Sequence, residues 1–235
     1  MERIGNIFFK TRNFLFPVFY VILFLPFPRI SENYLTVFII GLVVTTLGQF
    51  VRMATIGLVY IVRGGKNRRI YADGLVTDGL FSHSRNPMYI GNVLMIAGMS
   101  ILSNSIFAIV IMVPLFVFIY QAIIIAEEDY LRDKFGIGYD EYCKKVNRWL
   151  PNLQGIAKTF SDNGFDVQKV FLKEYNTTFL WMFGGIMLFA YNYYWNRFSE
   201  ISIEGATPFL VVATILIIMY FTLRMYKKRK TLSLK

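Results

Sequence analysis

The sequence has little of what a disulfide-stabilised or soluble protein needs. Among 235 residues there is one cysteine, Cys143, and one histidine, His83. A single cysteine cannot form an internal disulfide and suggests no cysteine-based metal site, so we expect no metal. Charged residues make up 17% of the chain, against about 25% in an ordinary soluble domain. These scarcities exclude a disulfide framework and argue against a soluble fold.

Long apolar blocks are the main feature of the sequence. Hydrophobic residues make up 55% of the chain, and they are gathered into windows long enough for helical membrane spans. We therefore predict an all-α fold, a polytopic membrane helical bundle with about six transmembrane helices. The expected windows are Phe14–Phe27, Tyr34–Val62, Met88–Leu102, Ser105–Ala126, Thr177–Trp195 and Thr207–Tyr226.

The basic residues predict the orientation of these spans. Lysine and arginine number 21 in the segments 1–13, 63–87, 127–176 and 227–235, but only 2 in 28–33 and 196–206. The positive-inside rule then places both termini in the cytoplasm. The formal net charge of +10 is thus a topological signal that also suits anionic lipid headgroups, and we expect the lipid bilayer rather than nucleic acid as the partner.

A change in composition after Pro151 suggests a division of the chain. Residues 1–151 form the expected membrane core, and residues 177–235 an appendage of two membrane helices. The polar stretch 152–176 between them has apolar residues at helical spacing, which is typical of an interfacial amphipathic segment. These apolar residues are Val167, Val170 and Phe171.

Two polar segments are too specifically spaced to be simple connectors. Asp78–Gly91 leads into the third expected span, and Glu127–Pro151 follows the fourth. Only a short turn, Ser103–Ser105, joins these two spans, so they should form a hairpin that brings both polar segments to one membrane face. A site built from the two segments would open toward the cytoplasm and toward the lipid.

The first polar segment has the chemistry of an anion-recognition corner. Pro87 suits the first turn of the third span, and it pushes Asn86 out of helical geometry into a capping position. Arg85 offers a planar fork of donors for a carboxylate or phosphate near a helix N-terminus. The alternative is an arginine that snorkels to lipid phosphate beside an ordinary cap.

The second polar segment begins with acids where the fourth span ends. Glu128 follows Gln121 by seven residues, so both should lie on one helical face turned toward the bundle interior. The alternative is a solvated ion pair with Arg132, four residues later. Gly136 is a helix stop, after which the helical spacing of Tyr139, Tyr142 and Val146 predicts a short amphipathic helix.

Both segments resemble one family. Arg85–Gly91 reads Arg-Asn-Pro-Met-Tyr-Ile-Gly, and it resembles the Arg-His-Pro-x-Tyr-x-Gly motif of the isoprenylcysteine carboxyl methyltransferase and phospholipid methyltransferase superfamily. Glu127–Val146 reads Glu-Glu-x-x-Leu-x-x-x-Phe-Gly-x-x-Tyr-x-x-Tyr-x-x-x-Val, which is similar to the signature after that family's last core span. The motifs lie in the expected order within Asp73–Pro151, about a third of the chain.

The resemblance implies an integral-membrane methyltransferase that binds S-adenosylmethionine at the cytoplasmic end of the bundle. The methyl acceptor would be hydrophobic: an isoprenylcysteine-like carboxylate, a lipid amine or a small thiol. Carried over by position, Arg85 and Glu128 would be catalytic, with Arg85 holding either the cofactor's or the acceptor's anionic group. Arg148 and Arg52 are candidate substrate-binding residues. The implied cofactor-binding residues are His83, Asn86, Pro87, Tyr89, Glu127, Tyr139 and Tyr142.

One residue departs from the family pattern. Asn86 stands where the family more often has histidine, and the only histidine is His83, three residues earlier. Because an asparagine side chain does not titrate, any mechanism that needs an imidazole base at this position is in doubt.

Two other functions remain open at this stage. Membrane sterol reductases carry a similar Arg-His-Pro-x-Tyr box and a later Tyr-Cys-x-x-Val run, which Tyr142–Val146 fits, and they would use NADPH. A non-catalytic membrane protein or transporter is the other alternative. Arg52 within the second span gives it slight support, since charges inside membranes are usually functional.

Overall fold

The computed structural model describes residues 1–59, 70–162, 164–195 and 203–233. All regular structure in these ranges is helical, which confirms the prediction of an all-α fold. Short non-α turns precede α3 (3₁₀, Gly79–Ser82), precede α4 (π, Ala108–Met112) and follow α7 (π, Ala190–Trp195). The α-helices are α1 (Glu2–Ile22), α2 (Tyr34–Leu58), α3 (Pro87–Leu102), α4 (Val113–Phe135), α5 (Ile137–Lys145), α6 (Ile156–Asp162), α7 (Val167–Phe189) and α8 (Ile203–Ser233).

Three helical stretches of the described residues are long and apolar enough to cross a membrane. They are Tyr34–Leu58, Ala108–Phe135 and Ala206–Arg229. Pro87–Leu102 is apolar but shorter. These helices support the prediction of a membrane protein, whereas the count of six spans stays a prediction. The expected end of the second span, Val62, lies outside the described residues.

Helix α1 begins earlier than the first apolar window. The window was expected to run from Phe14 to Phe27, but α1 begins at Glu2 and ends at Ile22. The polar residues at its start are helical as well, because hydropathy does not mark where a helix begins. Pro26 and Pro28 follow the helix in the connection to α2, where proline is favoured.

Helix α7 begins at Val167, ten residues before the expected fifth window. The Asp166 side chain caps it by accepting a hydrogen bond of 2.9 Å from the backbone N–H of Lys169. The helical spacing noted from Val167 onward therefore belongs to the first turns of α7. The helix continues without a break across residue 176, where the linker was expected to end, although the three-part division of the chain stays a prediction.

Glycine permits the close packing of α2 on α3, the most extensive helix contact in the described structure. A Cβ atom on Gly48 would lie 2.7 Å from the carbonyl oxygen of Gly91, and one on Gly91 would lie 2.8 Å from that of Gly48. Side chains do not fit at such distances, so the two helices approach through their backbones. Helix α1 packs along α4, and α7 lies against both α2 and α3.

Asn104 stabilises the turn between α3 and the π-helical turn that precedes α4. This residue has a φ of +54°, and its Oδ1 accepts hydrogen bonds from the backbone N–H groups of Ile30 and Ser31 at 3.1 and 3.2 Å. The expected turn at Ser103–Ser105 is confirmed. The start of α3 and the end of α4 consequently meet at the opposite end of the hairpin.

Candidate active site

A cavity of about 600 Å³ lies among α1, α2, α3, α4 and α7. Its polar lining comes from Arg12, Arg52, Asn86, Asn92 and Glu127. Apart from Thr177, the remainder is aromatic and apolar, and four of the predicted site residues line the cavity. These four are Arg52, Asn86, Tyr89 and Glu127.

Glu127 places a buried carboxylate at the wall of the cavity. The residue is 3% exposed, and the Tyr89 hydroxyl donates a hydrogen bond of 2.8 Å to its Oε1 atom. The Tyr89 ring in turn packs on Tyr120, with 5.2 Å between ring centroids. A carboxylate can accept several hydrogen bonds, so Glu127 can also hold a cationic group within the cavity.

Glu128 faces away from this cavity, because adjacent residues point about 100° apart around a helix. Its carboxylate lies between two arginines and is 2% exposed. Arg148 Nη2 donates to Oε2 at 2.7 Å, and Arg85 Nε lies 3.2 Å from Oε1. The hydrogen bond to Glu128 raises the pKa of Arg148 above its ordinary value, so this guanidinium stays protonated. Arg85, Glu128 and Arg148 form a cluster beside the cavity and do not line it.

The same contacts resolve two alternatives left open by the sequence. Arg132 pairs with Asp129 at 3.4 Å and with Asp140 at 3.0 Å, rather than with Glu128. The Arg85 side chain is only 12% exposed and also donates to the backbone oxygen of Cys143 at 3.2 Å. Arg85 is therefore bound inside the protein and does not snorkel to lipid.

Gln121 and Glu128 lie on one face of α4, as predicted, and this face contacts the segment that follows α5. Gln121 Oε1 accepts a hydrogen bond of 2.7 Å from the Trp149 indole. Two helical turns later, Glu128 accepts a hydrogen bond from Arg148. These two contacts fix the segment against α4.

Asn86 precedes α3 at the expected position, with Pro87 in the first turn. Its side chain nevertheless makes no capping bond to the described residues of α3. Instead, Nδ2 donates to the backbone oxygen of Arg148 at 3.3 Å. The expected side-chain cap is wrong because this carbonyl competes for the amide, and the contact ties α3 to the segment after α5.

His83 lies outside the cavity lining. Its Nδ1 is 2.5 Å from the backbone oxygen of Asn152, and its Nε2 is 2.8 Å from the hydroxyl oxygen of Thr159. A carbonyl can only accept, so Nδ1 carries the proton in this contact. The ring joins the turn before α3 to the region of α6.

Tyr139 and Tyr142 lie on α5, the short helix that was predicted after Gly136. Gly136 has a φ of +53°, a left-handed conformation that favours glycine. Both tyrosines are buried, and neither lines the cavity. The Tyr142 hydroxyl donates to the backbone oxygen of Phe81 at 2.7 Å, and Phe81 does line the cavity. Tyr142 therefore acts on the cavity wall indirectly.

Arg52 is held by a residue that sequence reasoning missed. Its Nε and Nη2 atoms donate to the two carboxylate oxygens of Glu174 on α7, at 2.8 and 2.6 Å. Arg52 Nη1 donates to Asn92 on α3. Gln49 Nε2 donates to Glu174 Oε2 at 3.2 Å, and the Trp181 indole donates to Gln49 Oε1 at 3.0 Å. The signal for Glu174 was available, because a charge inside a span needs a partner of opposite sign.

The described residues contain no group of three or more histidine, cysteine, aspartate or glutamate side chains that could hold a metal ion.

Comparison with known proteins defines the class. A family model described as phospholipid methyltransferase matches residues 33–137. A protein of Oryza sativa subsp. indica named "Probable protein-S-isoprenylcysteine O-methyltransferase" is 30% identical over 136 residues, 54% of this chain and 68% of that protein. The protein-S-isoprenylcysteine O-methyltransferase of Schizosaccharomyces pombe is 32% identical over 111 residues, 45% of each chain.

A further relative has a different name. The cobalt-zinc-cadmium resistance protein of Cupriavidus metallidurans is 30% identical over 112 residues, 46% of this chain and 49% of that protein. This chain thus spans about half the length of the relatives from Cupriavidus and Schizosaccharomyces. No solved structure matches it significantly.

The family model and the relatives from Oryza and Schizosaccharomyces are described as methyltransferases, and the helical fold and the matched region place this chain in one class with them. The chain belongs to the isoprenylcysteine carboxyl methyltransferase and phospholipid methyltransferase superfamily.

Proposed function

We propose that this protein is an S-adenosylmethionine-dependent methyltransferase that acts on a membrane-partitioned acceptor. The observation that carries the proposal is the meeting of Glu127, Arg12 and Arg52 in one cavity of about 600 Å³. Ligand pockets in proteins are typically ~300–1,000 Å³. The acceptor would be an isoprenylcysteine-like carboxylate, a lipid amine or a small thiol.

The donor set of the cavity fits the charged groups of this cofactor. Glu127 offers a carboxylate for its ammonium group, and Arg12 offers a guanidinium for its carboxylate. The rings of Phe81 and Tyr89 provide flat apolar surfaces for the adenine. Each of these pairings uses side chains that already face the cavity.

Bound S-adenosylmethionine supplies an electrophilic methyl group, whose bond to sulfur breaks as a bond to the acceptor's oxygen, nitrogen or sulfur forms. The protein's task is to align the two reactants and exclude water. Met88, Met95, Ile96 and Met99 give the cavity an apolar lining suited to that task. A carboxylate or thiolate acceptor needs no base, which agrees with asparagine at position 86.

The cluster of Arg85, Glu128 and Arg148 has a positioning role in this proposal. It fixes the segment after α5, whose backbone oxygen at Arg148 binds Asn86 at the cavity wall. Tyr139 and Tyr142 support the same wall from α5. The resemblance implies catalytic roles for Arg85 and Glu128. Their contacts instead favour a role in which the two residues hold Asn86 and Glu127 in place.

The proposed topology has six spans, with the cofactor site and both termini in the cytoplasm. The six spans would be the three long apolar helices together with α1, α3 and α7. The distribution of basic residues supports the orientation. In this arrangement the Asn104 turn lies at the outer face. The cavity extends from Asn86 and Glu127 at its inner end to Tyr20 and Met99 along α1 and α3, and a hydrophobic acceptor would reach it from the lipid.

Ligand-induced thermal stabilisation tests the proposal. Purified protein in mild detergent is incubated separately with S-adenosylmethionine, S-adenosylhomocysteine and NADPH. Stabilisation by both adenosyl ligands supports the proposal, and Glu127→Gln should reduce it while the exposed α5 variant Glu141→Gln leaves it unchanged. Stabilisation by NADPH alone would favour a reductase, and no response to any ligand would favour a non-catalytic role.

A further inference from the structure

Helix α7 forms one wall of the cavity although it lies beyond the family-matched residues 33–137. Thr177, Leu180 and Trp181 on this helix line the cavity. Glu174, one turn before Thr177, is 2% exposed and holds Arg52. The part of the chain outside the family match therefore contributes both surface and charge to the site.

Glu174 fixes the direction in which Arg52 points. Two parallel hydrogen bonds join the carboxylate to the guanidinium, and Gln49 supports the same carboxylate. Such a bidentate contact sets the plane of the guanidinium as well as its position. The side chains of Arg52 and Glu174 are 12% and 3% exposed, so neither can turn outward into water without moving α2 or α7.

The pair leaves Arg52 able to bind a further group. A guanidinium has five N–H donors, and the contacts with Glu174 and Asn92 use one on each nitrogen. Among the contacts with the described residues, one N–H bond on each terminal nitrogen is left unused, and Arg52 lines the cavity. Since Glu174 neutralises the charge, these donors would bind an oxygen of the incoming molecule mainly through hydrogen bonds.

The position of Arg52 separates it from the proposed cofactor contacts. Asn92, its partner on α3, lies six residues beyond Asn86, which is about 9 Å along a helix. Asn86 and Glu127 mark the polar end of the cavity, whereas Met95, Ile96 and Met99 follow Asn92 along α3. A molecule with a polar head at Asn92 would have its apolar part among these side chains.

We propose that Glu174 is a positioning residue for the methyl acceptor. It holds the Arg52 guanidinium so that the free N–H donors bind an oxygen of an amphipathic acceptor whose apolar chain lies along Met95 and Met99. This assignment rests on the proposed function. It makes α7, outside the family match, a determinant of which acceptor is used.

The test compares cofactor affinity with acceptor kinetics in full-length variants. Affinity for S-adenosylhomocysteine is measured by calorimetry in detergent, and methyl transfer is measured with labelled S-adenosylmethionine. One probe is used for each acceptor class: N-acetyl-S-farnesylcysteine, phosphatidylethanolamine vesicles and hexadecanethiol. The variants are Glu174→Gln and Glu174→Asp, with Lys173→Gln as the control, because Lys173 is the exposed neighbour on the same helix.

Glu174→Gln should raise the acceptor KM about tenfold or more, since a buried charge pair loses one partner. Its kcat and its S-adenosylhomocysteine affinity should stay within about twofold, the pattern of lost binding that is equal in ground and transition states. Glu174→Asp should recover part of the KM, and Lys173→Gln should match the wild type. If Glu174 only stabilised the fold, its substitution would not raise the acceptor KM while kcat and S-adenosylhomocysteine affinity stayed unchanged.

The double variant Arg52→Gln/Glu174→Gln guards against misfolding of the single variant, because it removes both charges together. The acceptor KM of the double variant should be no higher than that of Arg52→Gln alone, because the two residues act as a unit. Unchanged acceptor KM in Glu174→Gln overturns the inference, as does a loss of S-adenosylhomocysteine affinity of the same size. Wild-type protein that binds the adenosyl ligands but methylates none of the three probes also overturns it, whereas failure to bind them overturns the proposed function itself.

Discussion

Glu127 and Glu128 are neighbours in the chain, but their carboxylates belong to different surroundings. Glu127 accepts a hydrogen bond from Tyr89 at the cavity wall, and Glu128 binds Arg148 and Arg85 beside it. Glu127 thus lines the cavity, whereas Glu128 holds together α4, the turn before α3 and the segment after α5.

Tyr89→Phe should weaken binding of S-adenosylmethionine without unfolding the protein. The variant loses the hydrogen bond to Glu127, a contribution of about 1 kcal/mol or somewhat more for a charged acceptor, or roughly five- to tenfold in affinity. Calorimetric titration measures the change. Tyr71→Phe, which removes a hydroxyl that contacts Asp73 away from the cavity, is the control and should bind normally. Equal affinity in Tyr89→Phe and wild type would separate Glu127 from the cofactor.

Glu128→Gln should lower stability more than it lowers ligand affinity. It leaves Arg85 and Arg148 without their carboxylate, and breaking a fully buried pair costs ~3–5 kcal/mol. Because the Arg148 side chain is 35% exposed, we expect a smaller loss of about 2 kcal/mol. Thermal unfolding in detergent measures it. Asp129→Asn on the same helix breaks an exposed pair and should cost under ~1 kcal/mol, so similar Tm values for the two variants would contradict the prediction.

Gly98→Val should disrupt the packing of α2 on α3. A Cβ atom at this position would lie 2.4 Å from the backbone nitrogen of Thr45, which forces the helices apart. Gly138→Ala on α5 is the matched control, because nothing lies within 4 Å of its added Cβ atom. The control should gain up to ~1 kcal/mol, as alanine favours a helix. A folded Gly98→Val protein with unchanged Tm would show that α2 and α3 can separate at no cost.

His83→Ala should destabilise the protein and leave adenosyl-ligand affinity unchanged. The ring bonds to Asn152 and Thr159, and it does not reach the cavity. Loss of these buried hydrogen bonds should cost about 1–3 kcal/mol, visible as a lower Tm. A large loss of affinity in a variant of normal stability would return His83 to the binding site.

The sequence predicted which segments come together, but not which way their side chains face. The motifs around Arg85 and Glu127 predicted that the start of α3 and the end of α4 come together, and the bond from Tyr89 to Glu127 confirms it. Helical spacing also placed Gln121 and Glu128 on one face. Which of two adjacent glutamates faces the cavity depends on how α4 is rotated against its neighbours, and no local pattern contains that information.

Contacts between residues far apart in the chain were not predicted from the sequence. Glu174 lies 122 residues after Arg52, in a stretch that hydropathy assigned to a linker because its first turns are polar. The start of α1 was also missed, because its first turns are polar. Asn86 was placed correctly before α3, but its amide binds the Arg148 carbonyl across the fold, a contact that only the tertiary structure provides.

The pairing of Arg52 with Glu174 has a consequence for biosynthesis. In the six-span topology proposed above, α2 is inserted by the translocon before α7 has been synthesised, so Arg52 is transferred into the membrane without its counter-ion. Insertion scales assign about 2.5–3.5 kcal/mol to an arginine at the centre of a span. Arg52 lies nearer the end of α2, so the apolar residues of α2 must outweigh a smaller cost during that interval. A nascent chain that ends before residue 174 would keep Arg52 in this state without its carboxylate partner.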